Sequence, residues 1–288
     1  MYKVVTKRFL NEAKTICLFE IEAPLVARHA KAGQFVIFRL DEQGERVPVS
    51  VAGWDREKGT VTVMVQAAGR TTKMLHTVEQ GDYISDFVGP LGKATEIEGL
   101  EKVCVVGGGV GCAIAYPIAK VMHEAGIEVT FIAGFRSADI VILKDELAAV
   151  SDKLIICTDD GTYGEKGVTT QYLQQEIDAN IAQGKRQFDR VVAIGPDIMM
   201  KFLADVTRPY GISTIISLDP IMVDGTGMCG GCRVIVGGET KFACVDGPDF
   251  DAHQVDFDSL LKRAAFYKDE QDEAAKHICR MTGGKRNG

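Results

Sequence analysis

No run of apolar residues in this 288-residue chain reaches the roughly 18 that a spanning helix requires, so a membrane span is not expected. The start, MYKVVTKRFL, lacks the basic segment, apolar stretch and small-residue cleavage site of an export signal, and a cytoplasmic location is expected. Basic excess is missing too. With 33 Lys and Arg against 40 Asp and Glu, the net charge is -7 and the pI about 5.4, which excludes the basic stripe of a nucleic-acid platform. Histidine is scarce: five are scattered along the chain, giving a histidine metal site little support. No internal repeat or low-complexity tract is evident.

What remains is the composition of a folded protein, 46% hydrophobic and 25% charged, long enough for two ordinary domains and a small appendage. Eight cysteines matter by position. Cys17, Cys104, Cys112 and Cys157 stand alone in apolar or strand-like contexts, where a free thiol behaves as a small hydrophobe. Cys229, Cys232 and Cys244 crowd one glycine-rich stretch, and Cys279 lies in the tail. Clustered cysteines in a cytosolic protein point to metal before disulfides.

Residues 1–96 carry short alternating runs, FVIFRL, VPVSVAGW, GTVTVMVQ and GDYISDFVGPLG, punctuated by Gly, Asp and Pro. They predict an N-terminal antiparallel β-barrel. From 97 to 217, continuous apolar runs (VCVVGGG, VTFIAGF, LIICTDDG, VVAIGPD) alternate with helical stretches, as buried parallel strands do. An α/β open parallel sheet is expected there, with LGKATEIEGLEK as the interdomain connection. Residues 218–255, with seven glycines between 225 and 247, cannot build their own apolar core and are assigned to a small C-terminal domain. Residues 256–288 are charged and helix-compatible, an expected partner-docking tail.

In that small domain, Asp224 is followed by GTGM, Cys229, two glycines and Cys232, then eleven residues and Cys244. Plant-type [2Fe–2S] proteins use C-x4-C-x2-C and a later fourth cysteine; the spacing matches, with Asp224 in the first place. A carboxylate is a harder ligand than thiolate. Asp219 is the other candidate for the fourth ligand, though the x4 spacing favours Asp224. A three-cysteine zinc site, a redox-active cysteine pair and an ordinary glycine-rich turn stay open as alternatives.

VCVVGGGVGCAIA reads as strand, glycine turn and helix start. Gly107, Gly108, Gly109, Val110 and Gly111 would let the backbone approach a pyrophosphate at the helix N-terminus, although the run departs from G-x-G-x-x-G and also suits a plain strand-to-helix turn. Arg136 follows the next strand, where it would serve a 2′-phosphate or stack on adenine, so NAD(H) and NADP(H) both stay open. Asp160, Gly161, Thr162, Gly195 and Pro196 are expected at the same sheet edge, as ligand contacts or as turns. In the barrel, Arg46 opens RVPVS. There Ser50 would face a flavin N5, Pro48 and Val49 would form an apolar cradle, and Gly69, Arg70, Thr71 and Thr72 would meet a pyrophosphate.

RVPVSVAGWD is similar to a flavin-binding strand, VGGGVG with YPIAK to a nucleotide loop, and DGTGMCGGC to a cluster domain. In this order, over nearly the whole chain, the motifs resemble the ferredoxin–NADP reductase superfamily, and within it the branch that ends in a [2Fe–2S] domain. That branch includes electron-transfer subunits of dihydroorotate dehydrogenase and small subunits of NADH-dependent reduced ferredoxin:NADP oxidoreductases. The former carry four cysteines in the knot; Asp224 and the tail HQVDFDSLLKRAAFYKDEQDEA resemble the latter. AIAYP departs from the Ala-Pro that often follows the loop. The resemblance implies FAD, a [2Fe–2S] cluster and NAD(H), with hydride exchange on the flavin and no general acid or nucleophile. It implies a heterodimer with a larger flavin and [4Fe–4S] subunit, ferredoxin as indirect partner, and electron bifurcation. Two rivals are a dihydroorotate dehydrogenase electron-transfer subunit and a non-catalytic regulatory module binding nucleotide and zinc.

Overall fold

The computed structural model describes residues 1–266 and 270. Seven strands form an antiparallel sheet: β1 (Tyr2–Phe9), β2 (Ile16–Glu22), β3 (Phe35–Arg39), β4 (Val47–Asp55), β5 (Thr60–Gln66), β6 (Tyr83–Ile84) and β7 (Asp86–Leu91). Their order is β6-β1-β2-β5-β4-β3-β7. The two outer strands are joined through Ser85 alone, so the sheet curls into a nearly closed barrel. Alternation explains its interior. Cys17, Phe19 and Ile21 of β2 stand opposite Val65, Val63 and Val61 of β5, and all six are buried in one core with Phe38 and Phe87. Two short helices, α1 (Pro24–His29) and α2 (Arg70–Leu75), interrupt the strands.

The second sheet contains β8 (Lys102–Gly108), β9 (Glu128–Phe135), β10 (Lys153–Thr158), β11 (Glu165–Lys166), β12 (Arg190–Ile194) and β13 (Ser213–Ser217). These six are parallel. Helices α3 (Gly111–Glu124), α4 (Lys144–Ala149), α5 (Thr169–Ala182) and α6 (Asp197–Thr207) connect them. Every residue of β8 is buried, which accounts for its unbroken apolar run. The sheet order is β11-β10-β9-β8-β12-β13-β16, so the chain steps outward from β8 first one way and then the other. The crevice at the C-terminal ends of β8 and β12 is therefore a topological switch point, where open α/β sheets bind ligands.

Beyond β13 the chain forms a hairpin, β14 (Arg233–Val236) and β15 (Glu239–Phe242), and returns as β16 (Asp249–Asp251), antiparallel to β13. The expectation that this glycine-rich segment lacks a core of its own has a structural counterpart. Cys232, Val234, Ala243 and Cys244 join a core that includes Phe35 and Ile37 of the barrel and Ile216 and Leu218 of the sheet. Helix α7 (Phe257–Ala264) buries Phe257 and Leu260, is capped by Asp256 accepting from the Ser259 N–H at 3.0 Å, and donates Arg263 Nη2 to the Gly231 carbonyl at 3.0 Å. Most of the remainder of the expected tail, with Cys279, lies outside the described residues.

The connecting segment is pinned on three sides. Thr95 N–H donates to Ala32 of the barrel, Thr95 Oγ1 to Asp249 of β16 at 2.6 Å, and Arg190 Nη1 of β12 to the Glu96 carbonyl at 2.7 Å. Among the described residues no helix is long and apolar enough to cross a membrane.

Candidate functional site

A cavity of about 930 Å³ opens where the barrel meets the switch point of the parallel sheet. From β4, Pro48, Val49 and Ser50 form part of its wall, joined by Thr15, Phe35 and Gln66. Across from them lie Gly108, Gly109, Val110 and Gly111, then Arg136 at the end of β9 and Gly195 and Pro196 after β12. Residues separated by more than a hundred positions thus share one surface. The barrel supplies a mostly apolar wall, and the sheet supplies a turn of backbone.

The glycine turn has a steric logic. A Cβ on Gly111 would lie 2.2 Å from the Ile194 carbonyl oxygen, so only glycine lets α3 start this close to β12. Gly109 has φ +57 and donates its N–H to Gly134 across the top of β9 at 2.8 Å. Helix α3 then begins at the cavity wall with no side chain capping it, which leaves the positive end of its dipole toward that space. An anionic group fits here.

Other expected residues stand outside the wall. Gly107 lies beneath the turn, packed against Cys112. Gly69 precedes α2, three residues after Gln66. Thr72 Oγ1 accepts from the Gly69 and Ala68 N–H groups at 3.0 and 3.1 Å, and the Thr71 hydroxyl donates to Glu45. Arg70 is exposed on this turn. Asp160, Gly161 and Thr162 form a turn behind the rim: Asp160 Oδ1 accepts from the Thr162 N–H and hydroxyl, and Thr162 Oγ1 accepts from Ala138 N–H at 2.9 Å. Arg46 is not part of the cavity wall; its Nε donates to the Val223 carbonyl at 2.6 Å.

That contact leads to the knot. Asp224 accepts from the backbone N–H groups of Thr226 (3.0 Å), Met228 (3.0 Å) and Cys229 (2.8 Å), which hold its carboxyl ionised, down at about 2. Cys232 and Cys244 form a second pair: their thiols are neighbours, and Cys244 N–H donates to Cys232 Sγ at 3.4 Å. Burial first, then this contact, pushes the Cys244 thiol up to about 12. Gly231 N–H donates to Cys229 Sγ at 3.4 Å, and the Gly227 N–H is directed at Cys244. Positive φ at Gly225, Gly227 and Gly230 lets the loop turn back on these sulfurs.

Among the described residues no three His, Cys, Asp or Glu side chains converge as they would around a single ion. Two pairs side by side instead suit a two-iron centre, in which each metal takes two protein ligands. The knot also abuts the barrel: a Cβ on Gly225 would meet Ile37 Cδ1 at 2.8 Å, and Ile37 pairs directly with Pro48 in the cavity wall. Asp219, the other carboxylate considered for the knot, lines the cavity.

The spacing rules did not single out Asp159, Asp197, Ser217 and Met222, which also line the cavity, and they assigned Asp219 to the knot and not to this wall. Asp159, Asp197 and Asp219 each follow the C-terminal end of a parallel strand, a position the switch-point rule identifies once strand order is known. Desolvation, and then the neighbouring Asp219, raises the Asp197 carboxyl to about 6; desolvation likewise raises Asp219.

Residues 219–256 match the iron-sulfur cluster binding domain of dihydroorotate dehydrogenase B. A Thermotoga maritima protein named as a homolog of the dihydroorotate dehydrogenase B (NAD(+)) electron transfer subunit is 45% identical, covering 94% of this chain and 94% of that protein. A Clostridium beijerinckii protein named for its place in the adh 3' region is 49% identical, covering 96% of this chain and 94% of that protein. Among solved structures, a chain of the NADH-dependent reduced ferredoxin-NADP oxidoreductase, studied for flavin-based electron bifurcation, superposes with TM-score 0.88. It is 45% identical and covers 96% of this chain and 97% of that one.

Proposed function

The chain belongs to the family of dihydroorotate dehydrogenase B electron-transfer subunits and their homologues, and from that premise we propose that it carries electrons between NAD(H), FAD and a [2Fe–2S] cluster. It is the flavin and iron–sulfur subunit of an oxidoreductase and hands electrons to a larger subunit. The finer reading is that of an NADH-dependent ferredoxin:NADP oxidoreductase. In it the partner bears flavin and [4Fe–4S] clusters, and ferredoxin is reached through that partner. Asp224 in the first position of the knot, where dihydroorotate-linked subunits have cysteine, favours this reading.

The observation that carries it is the shared cavity. Pro48, Val49 and Ser50 stand across one space from the Gly108–Gly111 turn, so a flavin on the barrel and a dinucleotide on the sheet would meet face to face. Ser50 offers a hydroxyl for the flavin ring, Pro48 and Val49 an apolar support, and Gln66 a further polar contact. The Gly69–Thr72 turn just beyond Gln66 suits the flavin pyrophosphate, with Arg70 as its cation. The start of α3 holds the dinucleotide pyrophosphate, and Arg136 takes the adenosine end. Asp224 and Cys229 would hold one iron, Cys232 and Cys244 the other. Arg46, through Val223, fixes this knot to the strand that supports the flavin. When bound, these groups exchange a two-electron hydride on one side and release single electrons on the other. No acid or nucleophile of the protein is needed.

The test is the anaerobically purified chain with flavin and iron quantified, beside Cys229→Ser. Flavin bands with about two irons per chain, the iron lost and the flavin kept in the variant, are expected. A colourless protein carrying zinc would overturn the reading in favour of a regulatory module.

A further inference from the structure

The charges around the cavity are sorted by strand. Across the sheet the order is β9, β8, β12, β13, and the strand ends present, in that order, Arg136, the glycine turn, Asp197 and Asp219. Arg136 is the only Lys, Arg or His among the lining residues. The fourth charged lining residue, Asp159, follows β10, on the Arg136 side. Strands β12 and β13 run in register, Ala193 beside Ile216, so Asp197 and Asp219 leave adjacent strand ends onto one wall. Neither carboxylate has a salt-bridge or side-chain hydrogen-bond partner among the described residues, and Asp219 bears on the charge of Asp197.

A dinucleotide with its pyrophosphate at the central turn therefore spans a polarised site. The end toward Arg136 holds that one cation beside Asp159, and the end toward Asp197 and Asp219 holds carboxyl groups with no cation. The two ends of NAD differ in what oxidation does to them. Adenosine keeps its charge, whereas the nicotinamide ring is a cation in NAD+ and neutral in NADH. Loss of hydride from ring carbon C4 removes one proton and two electrons, which pass to the flavin, and leaves the positive ring behind.

We propose that Asp197 and Asp219 are specificity-determining residues of the nicotinamide end, a carboxylate wall that binds the cationic ring of NAD+ in preference to the neutral ring of NADH. This rests on the reading of the cavity as a dinucleotide site. Its consequence is directional: the wall favours departure of hydride from NADH, because the positive charge that develops on the ring faces, and favours the ionised form of, two buried carboxyl groups rather than water. It also opposes a second anion at this end, which orients the dinucleotide with its phosphates at the turn.

Direct binding tests it, using holoprotein under anaerobic conditions with two probes: NAD+ and tetrahydro-NAD, a neutral-ring analogue unable to donate hydride. In the Asp197→Asn/Asp219→Asn double variant, affinity for NAD+ falls roughly tenfold, as expected for losing an opposite charge close to the ring, while affinity for tetrahydro-NAD changes less than about twofold. Flavin and iron contents equal to wild type show that the fold is intact. If the double variant fails to fold, single Asp219→Asn is measured in its place, with a smaller shift in the same direction. Equal changes for both probes, or none, overturn the inference. A wild-type protein that binds neither probe overturns the dinucleotide reading as well.

Discussion

In the barrel, Cys17, Phe19 and Ile21 meet Val65, Val63 and Val61 across a strand pair, and the alternation that buries them is written in the sequence. In the knot, residues 224–232 turn through three positive-φ glycines around an ionised carboxylate, with Met228 88% exposed and Cys229 exposed beside it. The barrel is ordered by apolar burial, the knot by polar groups. Cysteine shows the contrast in one residue type. Burial pushes the Cys17 thiol up to about 11, the setting of a structural side chain, while Cys229 shares hydrogen bonds with Asp224 and Gly231 at the surface.

The largest effect expected from this difference is on the knot. Cys232→Ser removes one of two buried thiols and is expected to abolish iron binding while FAD content stays near wild type, as read by iron assay and flavin absorbance. Loss of both cofactors together would mean that knot and barrel are one cooperative unit. In the barrel, Phe19→Ala is expected to cost about 3–5 kcal/mol in denaturant unfolding, the usual result of emptying a packed aromatic site. An unfolding midpoint unchanged by that substitution would contradict the burial account.

Smaller effects separate the sheet from both. Gly111→Ala places a methyl against the Ile194 carbonyl and should cost about 1–3 kcal/mol of local fit, weakening NADH binding by about tenfold or more. Flavin and iron contents should not change; their loss would place the strain outside the nucleotide turn. The smallest effect is a pH dependence at the three-way junction. Burial pushes the Asp249 carboxyl up to about 6, against which its hydrogen bond with Thr95 acts. A carboxyl with a folded pKa above its unfolded value binds its proton more tightly in the folded state, so its contribution to stability declines as pH rises from about 4 through about 6. Asp249→Asn is expected to flatten the thermal-unfolding midpoint over that interval relative to wild type. Identical slopes would show that Asp249 does not titrate there.

Strand alternation and continuous apolar runs made the barrel and the parallel sheet legible, because both are local periodicities. Segment 218–255 was legible as chain without a core, since glycine offers nothing to pack. Its return as β16 was not, because a three-residue strand carries no period. The same limit applies to the site. Gly108–Gly111 and Pro48–Ser50 have local signatures, whereas Asp197 and Asp219 acquire meaning only when β12 and β13 become neighbours. Arg46 illustrates the reverse: it opens the flavin strand in sequence, yet its Nε is committed to the Val223 carbonyl, a contact spanning the fold.

The central claim is that one chain takes electrons from a nicotinamide and delivers them to a cluster. Anaerobic titration of the purified holoprotein with NADH, followed by flavin absorbance and electron paramagnetic resonance, tests it most directly. The account predicts bleaching of the flavin bands together with the resonance of a reduced [2Fe–2S] centre. A flavin that bleaches while the iron stays oxidised, or one that NADH leaves untouched, would contradict it.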